Sequence, residues 1–378
     1  MSRPKNHHYV PRHFLRAWDL EDKLNVLHLE SEGVFQEDIS KVCSRNYFYG
    51  NPPTVETELS NLEGYQARPL NTLRDGSDLI DLSDQEIRLL LSFVTTQRSR
   101  TKAMKEDINT GEEFLRDAVR DDMEAERYEE FIEWTSDLSE EEKEDTIVEA
   151  SLLGTHYYII SLGIFAYIGI QDLDAVMIRN VTDRDFIVCD APVVHDNPRY
   201  KAFRGLVLAA LGNRGLQLFC PIDRNRMLLL YDPEVYQLES NSRRQVLINS
   251  PEVVDQLNLL QLHNAEEIVM SRPGSEQYVL ELYDRIEKVR RRKEITETIE
   301  TELGDNVEVD KVPPYQVPKL SPELPGYSLR DRLPYKKKRP RSQAPKSQRV
   351  VHRIFNEAGA PDLALIYAIR FFEELLEQ

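Results

Sequence analysis

Residues 150–170 read ASLLGTHYYIISLGIFAYIGI, and the way this run is understood decides what kind of fold the chain adopts. It is close to the length a helix needs to cross a bilayer. Against that reading stand Thr155, His156, Ser161 and three glycines within the run, the acidic stretch 140–149 before it, and the lack of a positive flank to anchor it. The run is therefore expected to be the buried core helix of a globular protein, with no membrane involved.

Upstream of this run the pattern is helical, with helices expected at 54–68, 83–105, 111–134 and 139–168. Ser83 before Glu86 and Ser139 before Glu142 have the spacing of a capping box, which supports two of these starts. The first fifty residues predict a short helix after Pro11, with Phe14, Leu15 and Trp18 on one face, and then a hairpin-like pair that begins with the alternation at 23–29. Asn51-Pro52-Pro53 is a loop. Downstream the period changes: 175–180, 185–189, 215–221 and 226–231 are short apolar or β-branched runs between turn residues. Helical spacing returns at 251–267 and 276–292. Helices and strands come in blocks, which predicts an α+β fold, a helical N-terminal half packed with a small, mostly antiparallel sheet and covering helices, rather than a doubly wound one.

The region 304–349 carries eight prolines and ends in KKKRPRSQAPKSQR, a composition that cannot bury a core. The expected organisation is a main domain over 1–300, a proline-rich basic linker or arm over 301–349, and a docking helix over 350–378. Leu363, Ile366, Tyr367, Ile369 and Phe371 make that last helix apolar, so it should dock on the body, on a protein partner or on another copy of the chain.

With 378 residues and an apolar fraction of 40%, the chain has ample material for a core. Its net charge of −18 argues against a surface built wholly to hold nucleic acid, which leaves a local basic patch as the way to bind phosphate. Cys43, Cys189 and Cys220 are far apart with no CxxC pair, so neither a disulfide framework nor a cysteine zinc site is encoded. They read as small core residues in a reducing cytoplasm. The opening MSRPKNHHYV has no apolar signal core. The motifs GxxxxGK[ST], GxGxxG, GxSxG and HExxH are all missing, which sets aside phosphate-loop, dinucleotide, serine-elbow and zincin chemistry.

The segments NHHYVPRHFLRAW (6–18), ETELSNLEG (56–64), FVTTQRSRT (93–101), DFIVCDAPVV (185–194), LQLFCPID (216–223) and LNLLQLHNAEEIVMS (257–271) occur in a fixed order. Together they resemble the bacterial domain-of-unknown-function family numbered 4238, over about residues 7–271. HHYVPRHFL and FIVCDAPVV are the most specific of them. The DNP triplet typical of the family stands here as Asp190-Ala191-Pro192. The resemblance implies no established activity. The setting of relatives near mobile or defence genes points toward a bacterial, defence-associated effector directed at nucleic acid.

Four places carry residues with chemical potential. His7 and His8 precede Pro11 and are expected at a helix N-terminus, with Arg12 and Arg16 one turn apart on one face. That set suits phosphate or carboxylate, with a histidine to move a proton; the bland alternative is a histidine cap. Glu63 shares the apolar stripe of its helix with Leu59, Leu62 and Gln66, so it must be paired, neutralised or bound to metal. Glu56 lies on the same side and leaves a two-carboxylate metal site open, whereas Glu58 points into solvent. Arg98 falls on the buried face of the next helix, where a Glu63–Arg98 ion pair would satisfy both charges without catalysis; Gln97 lies beside it and Arg100 to the side. Asp190 ends a strand, a place suited to a metal ligand or general base and equally to an Asx-turn. His195 and Asp196, next along, are expected in an exposed loop.

Two functions follow. One is a metal-dependent phosphodiester hydrolase of nuclease type: His8, Glu63 and Asp190 would be catalytic, and Glu63 and Asp190 would hold magnesium or manganese. His7, Arg12, Arg16, Gln97 and Arg98 would grip the ligand. The other is a non-catalytic sensor for an anion or nucleic acid; a plain scaffold with a buried ion pair is the third reading.

Overall fold

A computed structural model describes residues 5–113, 115–117, 120, 139–197, 211–286, 295–300, 306–311, 323–329 and 342–377. The run that opened the sequence reading is the Glu140–Phe165 helix, started by Ser139, whose hydroxyl accepts from the Glu142 amide while Glu142 returns the bond. By length and composition the helix is apolar enough to cross a membrane, and 56% of its most apolar window is buried inside the protein. It packs against the Asp84–Ser99 helix so closely that a Cβ on Gly163 would lie 1.9 Å from Ser99 Oγ. Ile160, Ile164 and Phe165 are fully enclosed there.

Two C-terminal helices, Ala344–Ala358 and Pro361–Glu377, separated by Gly359 in the left-handed conformation, pack against it, and the Thr54–Arg74 helix packs against the Asp84–Ser99 and Pro361–Glu377 helices. The C-terminal segment packs on the Glu140–Phe165 helix of the same chain. It begins at Ala344 rather than residue 350 and is broken in two at Gly359, because that residue's positive φ ends the first helix. Glu58, expected in solvent, instead pairs with Arg370 of the last helix at 2.7 Å.

The strands form two principal sheets. One has four antiparallel strands in the spatial order Gly33–Asp38, Lys23–His28, Ile268–Ser271 and Val188–Cys189. The other orders Gln245–Ile248, Asp174–Asn180, Arg226–Tyr231, Gln217–Asp223 and Val194–Asp196, with a single parallel pair at the Gln245–Ile248 edge. The Pro251–Asn264 helix covers sheet residues through Asn258 and Gln261, whose amide oxygens accept from the Ile187 and Cys189 backbones. The α+β reading holds. One continuous apolar core runs from the helices to the sheets, and Trp18 fixes the junction by donating to the Phe186 carbonyl at 2.7 Å.

Three expectations need correction. The helix expected over 83–105 stops at Ser99 and restarts as Lys102–Asn109, capped by Thr101. His195 and Asp196 are buried in a strand rather than exposed, because Val194–Asp196 pairs with Gln217–Phe219 at the sheet edge. Residues 306–311, read as part of an extended arm, pair with Ile295–Glu300 as a hairpin, and Ser328–Leu329 pairs with Tyr236–Gln237. Residues 336–341 of the basic stretch, and most of the helix expected at 111–134, lie outside the described residues, while 344–349 form the start of the Ala344–Ala358 helix.

Candidate functional site

The Thr54–Arg74 helix presents Glu56 and Glu63 on one side, two turns apart. Facing them is Arg100, not Arg98. Glu63 Oε1 accepts from Arg100 Nη1 at 2.6 Å, with 2% of the arginine side chain and 17% of the glutamate side chain exposed. The expected Glu63–Arg98 pair does not form. Helical periodicity carried Arg98 onto the buried face, but the helix ends one residue later and Arg100 takes cap geometry at φ −103°, ψ 3°. That turn swings the next side chain but one into the core. Arg98 stays half-buried on the helix itself.

Arg100 makes two more bonds: Nη2 donates to the His8 carbonyl at 2.6 Å and Nε to the Tyr49 hydroxyl at 3.0 Å. Burial works against its charge, and Tyr49, Glu63 and Glu56 more than restore it, so its pKa is raised. Glu56 is 8% exposed. Its Oε1 accepts a long bond from the His8 amide at 3.4 Å, and Oε2 is buried with no hydrogen-bond partner among the described residues. Burial pushes its carboxyl up to about 7, only partly opposed by Arg100 and reinforced by Glu63.

The two histidines come to this place by another route than a helix N-terminus. They lie on the Asn6–His8 strand, paired with Ser44–Asn46, and the helix after Pro11 is only four residues long. His7 is fully buried and accepts from the Tyr49 amide through Nδ1 at 3.2 Å. The His8 ring Nε2 lies 3.1 Å from the Ser40 carbonyl, to which it donates as the neutral tautomer. Burial, then the neighbouring charge of Arg12, brings the His8 pKa down to about 4, so the ring stays neutral at pH 7. What His8 supplies to the cluster is its main chain. Arg12 is exposed nearby, while Arg16 turns to the surface and pairs with Asp22 at 3.1 Å. Gln97 is buried and donates to the Tyr9 carbonyl at 2.9 Å, so it braces the segment after the histidines.

Asp190 behaves differently. Its carboxylate accepts from the amides of Glu266 (2.8 Å), Glu267 (2.7 Å) and Ile268 (3.2 Å), and none of its bonds runs to the Arg100 cluster. Burial outweighs these three donors and leaves its pKa at about 6. Ala191, in the second position of the triplet, is bonded through its carbonyl by Asn264 Nδ2 at 2.5 Å. The structure thus brings together His8, Glu63 and Glu56, which shares Glu63's side of the helix as expected, with the unforeseen Tyr49 and Arg100, and leaves Asp190 with the backbone it organises. Among the described residues, no group of three or more His, Cys, Asp or Glu side chains is placed to hold a metal ion. The three cysteines are buried, as expected of core residues.

The signal for Arg100 was present in the sequence, since Thr101 is a favourable N-cap and marks a new helix start. Tyr49 carried no such mark, because its role depends on a loop conformation.

Compared with known proteins, residues 6–275 match the model of a family described as protein of unknown function (DUF4238). No curated protein and no solved structure matches the chain.

Proposed function

The chain belongs to the DUF4238 family of proteins of unknown function, and we propose that it is a cytoplasmic hydrolase of phosphodiester bonds whose proton chemistry is done by Glu56 beside Arg100. The observation that supports this is a buried carboxyl poised at about 7, with one oxygen unpartnered, next to a fixed guanidinium. A carboxyl with that pKa takes and returns a proton at neutral pH, which an ordinary glutamate does poorly. Arg100 and the exposed Arg12 offer positive charge to a phosphoryl group, and Glu63 keeps Arg100 aimed. The proton-transfer role given to His8 from sequence passes to Glu56 in this reading.

The test is incubation of purified protein with RNA, single-stranded DNA and duplex DNA, each with magnesium, with manganese and with a chelator. Cleavage is expected, and Glu56→Gln should reduce it by about 10²-fold or more with no loss of thermal stability. The chelator arm decides whether a metal takes part. No cleavage, or cleavage that survives in Glu56→Gln, overturns the assignment.

One observation favours the third reading, a scaffold around a buried ion pair: Nε, Nη1 and Nη2 of Arg100 are each already engaged by the protein. Neither cleavage nor saturable, salt-sensitive binding of the same nucleic acids is expected of a scaffold, whereas binding without cleavage would support an anion-binding module.

A further inference from the structure

We infer that Tyr49 is the positioning residue of this site, the group that holds the Arg100 guanidinium over the two glutamates and connects it to the central helix. The inference rests on the proposed site but not on the identity of its substrate.

The geometry is specific to a phenol. The Tyr49 hydroxyl accepts from Arg100 Nε at 3.0 Å and lies 3.3 Å from the Arg100 carbonyl and 3.5 Å from that of His8. Burial pushes the phenol pKa up, so the hydroxyl keeps its proton and donates it to one of these carbonyls. Head and main chain of Arg100 are thereby tied to one oxygen. The guanidinium carbon also sits 5.5 Å from the centre of the Tyr49 ring, within cation–π range.

Tyr49 is itself held from several directions. Its amide donates to His7 Nδ1, and its carbonyl accepts from the Tyr157 hydroxyl at 3.0 Å. Its ring lies nearly parallel to those of His7 and His156, with centroids 6.0 and 5.9 Å away. The next residue, Gly50, has φ +81°, and a Cβ there would come within 2.8 Å of the Tyr157 hydroxyl oxygen. A glycine is thus what lets this loop press against the Glu140–Phe165 helix. His156, on that helix, is fully buried with neither ring nitrogen hydrogen-bonded, so it serves the stack as a flat ring and not as a polar anchor.

If Tyr49 were only core filling, phenylalanine would do as well. If it positions Arg100, loss of the hydroxyl frees the guanidinium, and the groups that face Glu56, namely Arg100, Glu63 and the His8 amide, no longer hold one arrangement. The readout is the carboxyl carbon resonance of Glu56, titrated by NMR in labelled protein and identified by its loss in Glu56→Gln. In Tyr49→Phe the Glu56 midpoint should move up by about half a pH unit or more, as Arg100 withdraws its stabilising charge. Tyr157→Phe, which removes only the bond to the Tyr49 carbonyl, should move it the same way by less and covers the case in which Tyr49→Phe does not fold. A Glu56 midpoint unchanged in the folded variants overturns the inference. The titration needs no substrate, so a failed cleavage assay leaves it standing, and a flat titration leaves the cleavage result to be judged separately.

Discussion

Glu56, in the helical half, and Asp190, at the end of a sheet strand, are both buried carboxyl groups, and burial raises the pKa of each. They differ in what surrounds the oxygens. Asp190 spends both on three backbone N–H groups of the chain entering the Ile268–Ser271 strand. Among the described residues, Glu56 has a single long bond to one oxygen and nothing on the other. A buried acid saturated by the backbone is a fastener, because its charge is consumed in holding a turn. One left half-satisfied beside an arginine stores an imbalance that a structural role would not need. Perturbed pKa alone does not tell the two apart; the hydrogen-bond inventory does.

The comparison breaks most visibly at Asp190. Asp190→Ala leaves three donors without acceptors, the Ile268 amide buried and the other two partly so, and should cost about 3 kcal/mol in urea unfolding, with Asp190→Asn recovering part of it. If Asp190→Ala were as stable as the wild type and lost only activity, Asp190 would join Glu56 as a functional group and the contrast would fail.

The pH dependence of Glu56 sharpens it. Its folded pKa of about 7 lies above the unfolded value of 4.5, so ionising it costs the folded state. That cost is missing below pH 4.5, grows as pH rises, and is complete above about 7. Glu56→Gln escapes it, so the stability of the variant relative to wild type should rise across this window by about 3 kcal/mol. Urea unfolding of both proteins at a series of pH values checks this; a difference that is flat with pH would mean that Glu56 is not poised at all.

The smallest effect is expected at the rim. Glu58→Gln removes the bond to Arg370, whose side chain is 58% exposed, and should lower the melting temperature only slightly. A much larger loss would mean that charge, rather than Leu365, Ile369 and Phe372, holds the last helix to the body.

Local chemistry made much of this legible. The capping boxes at Ser83 and Ser139 mark helix starts that form as expected, and Arg226–Tyr231 is a strand with the bounds its apolar run suggests. Glu63 was identified from its helix face alone, as a charge in the apolar stripe that must find a partner. That partner was misassigned because a periodic argument assumes an unbroken helix, and the chain turns at Arg100. The histidine pair was placed at a helix end for a similar reason: residues 44–46, with which it pairs as a strand, are distant in sequence.

The sequence by itself determined the α+β class, the capped helix starts at Ser83 and Ser139, and the need to compensate an acid at position 63, since periodicity, capping and desolvation act over one or two turns. Only the tertiary structure decided that Arg100 is the compensating charge, that Tyr49 holds it, and that Glu56 rather than Asp190 is left available. Those outcomes depend on which distant segments meet and on whose hydrogen bonds are already satisfied when they do, and no local pattern encodes either.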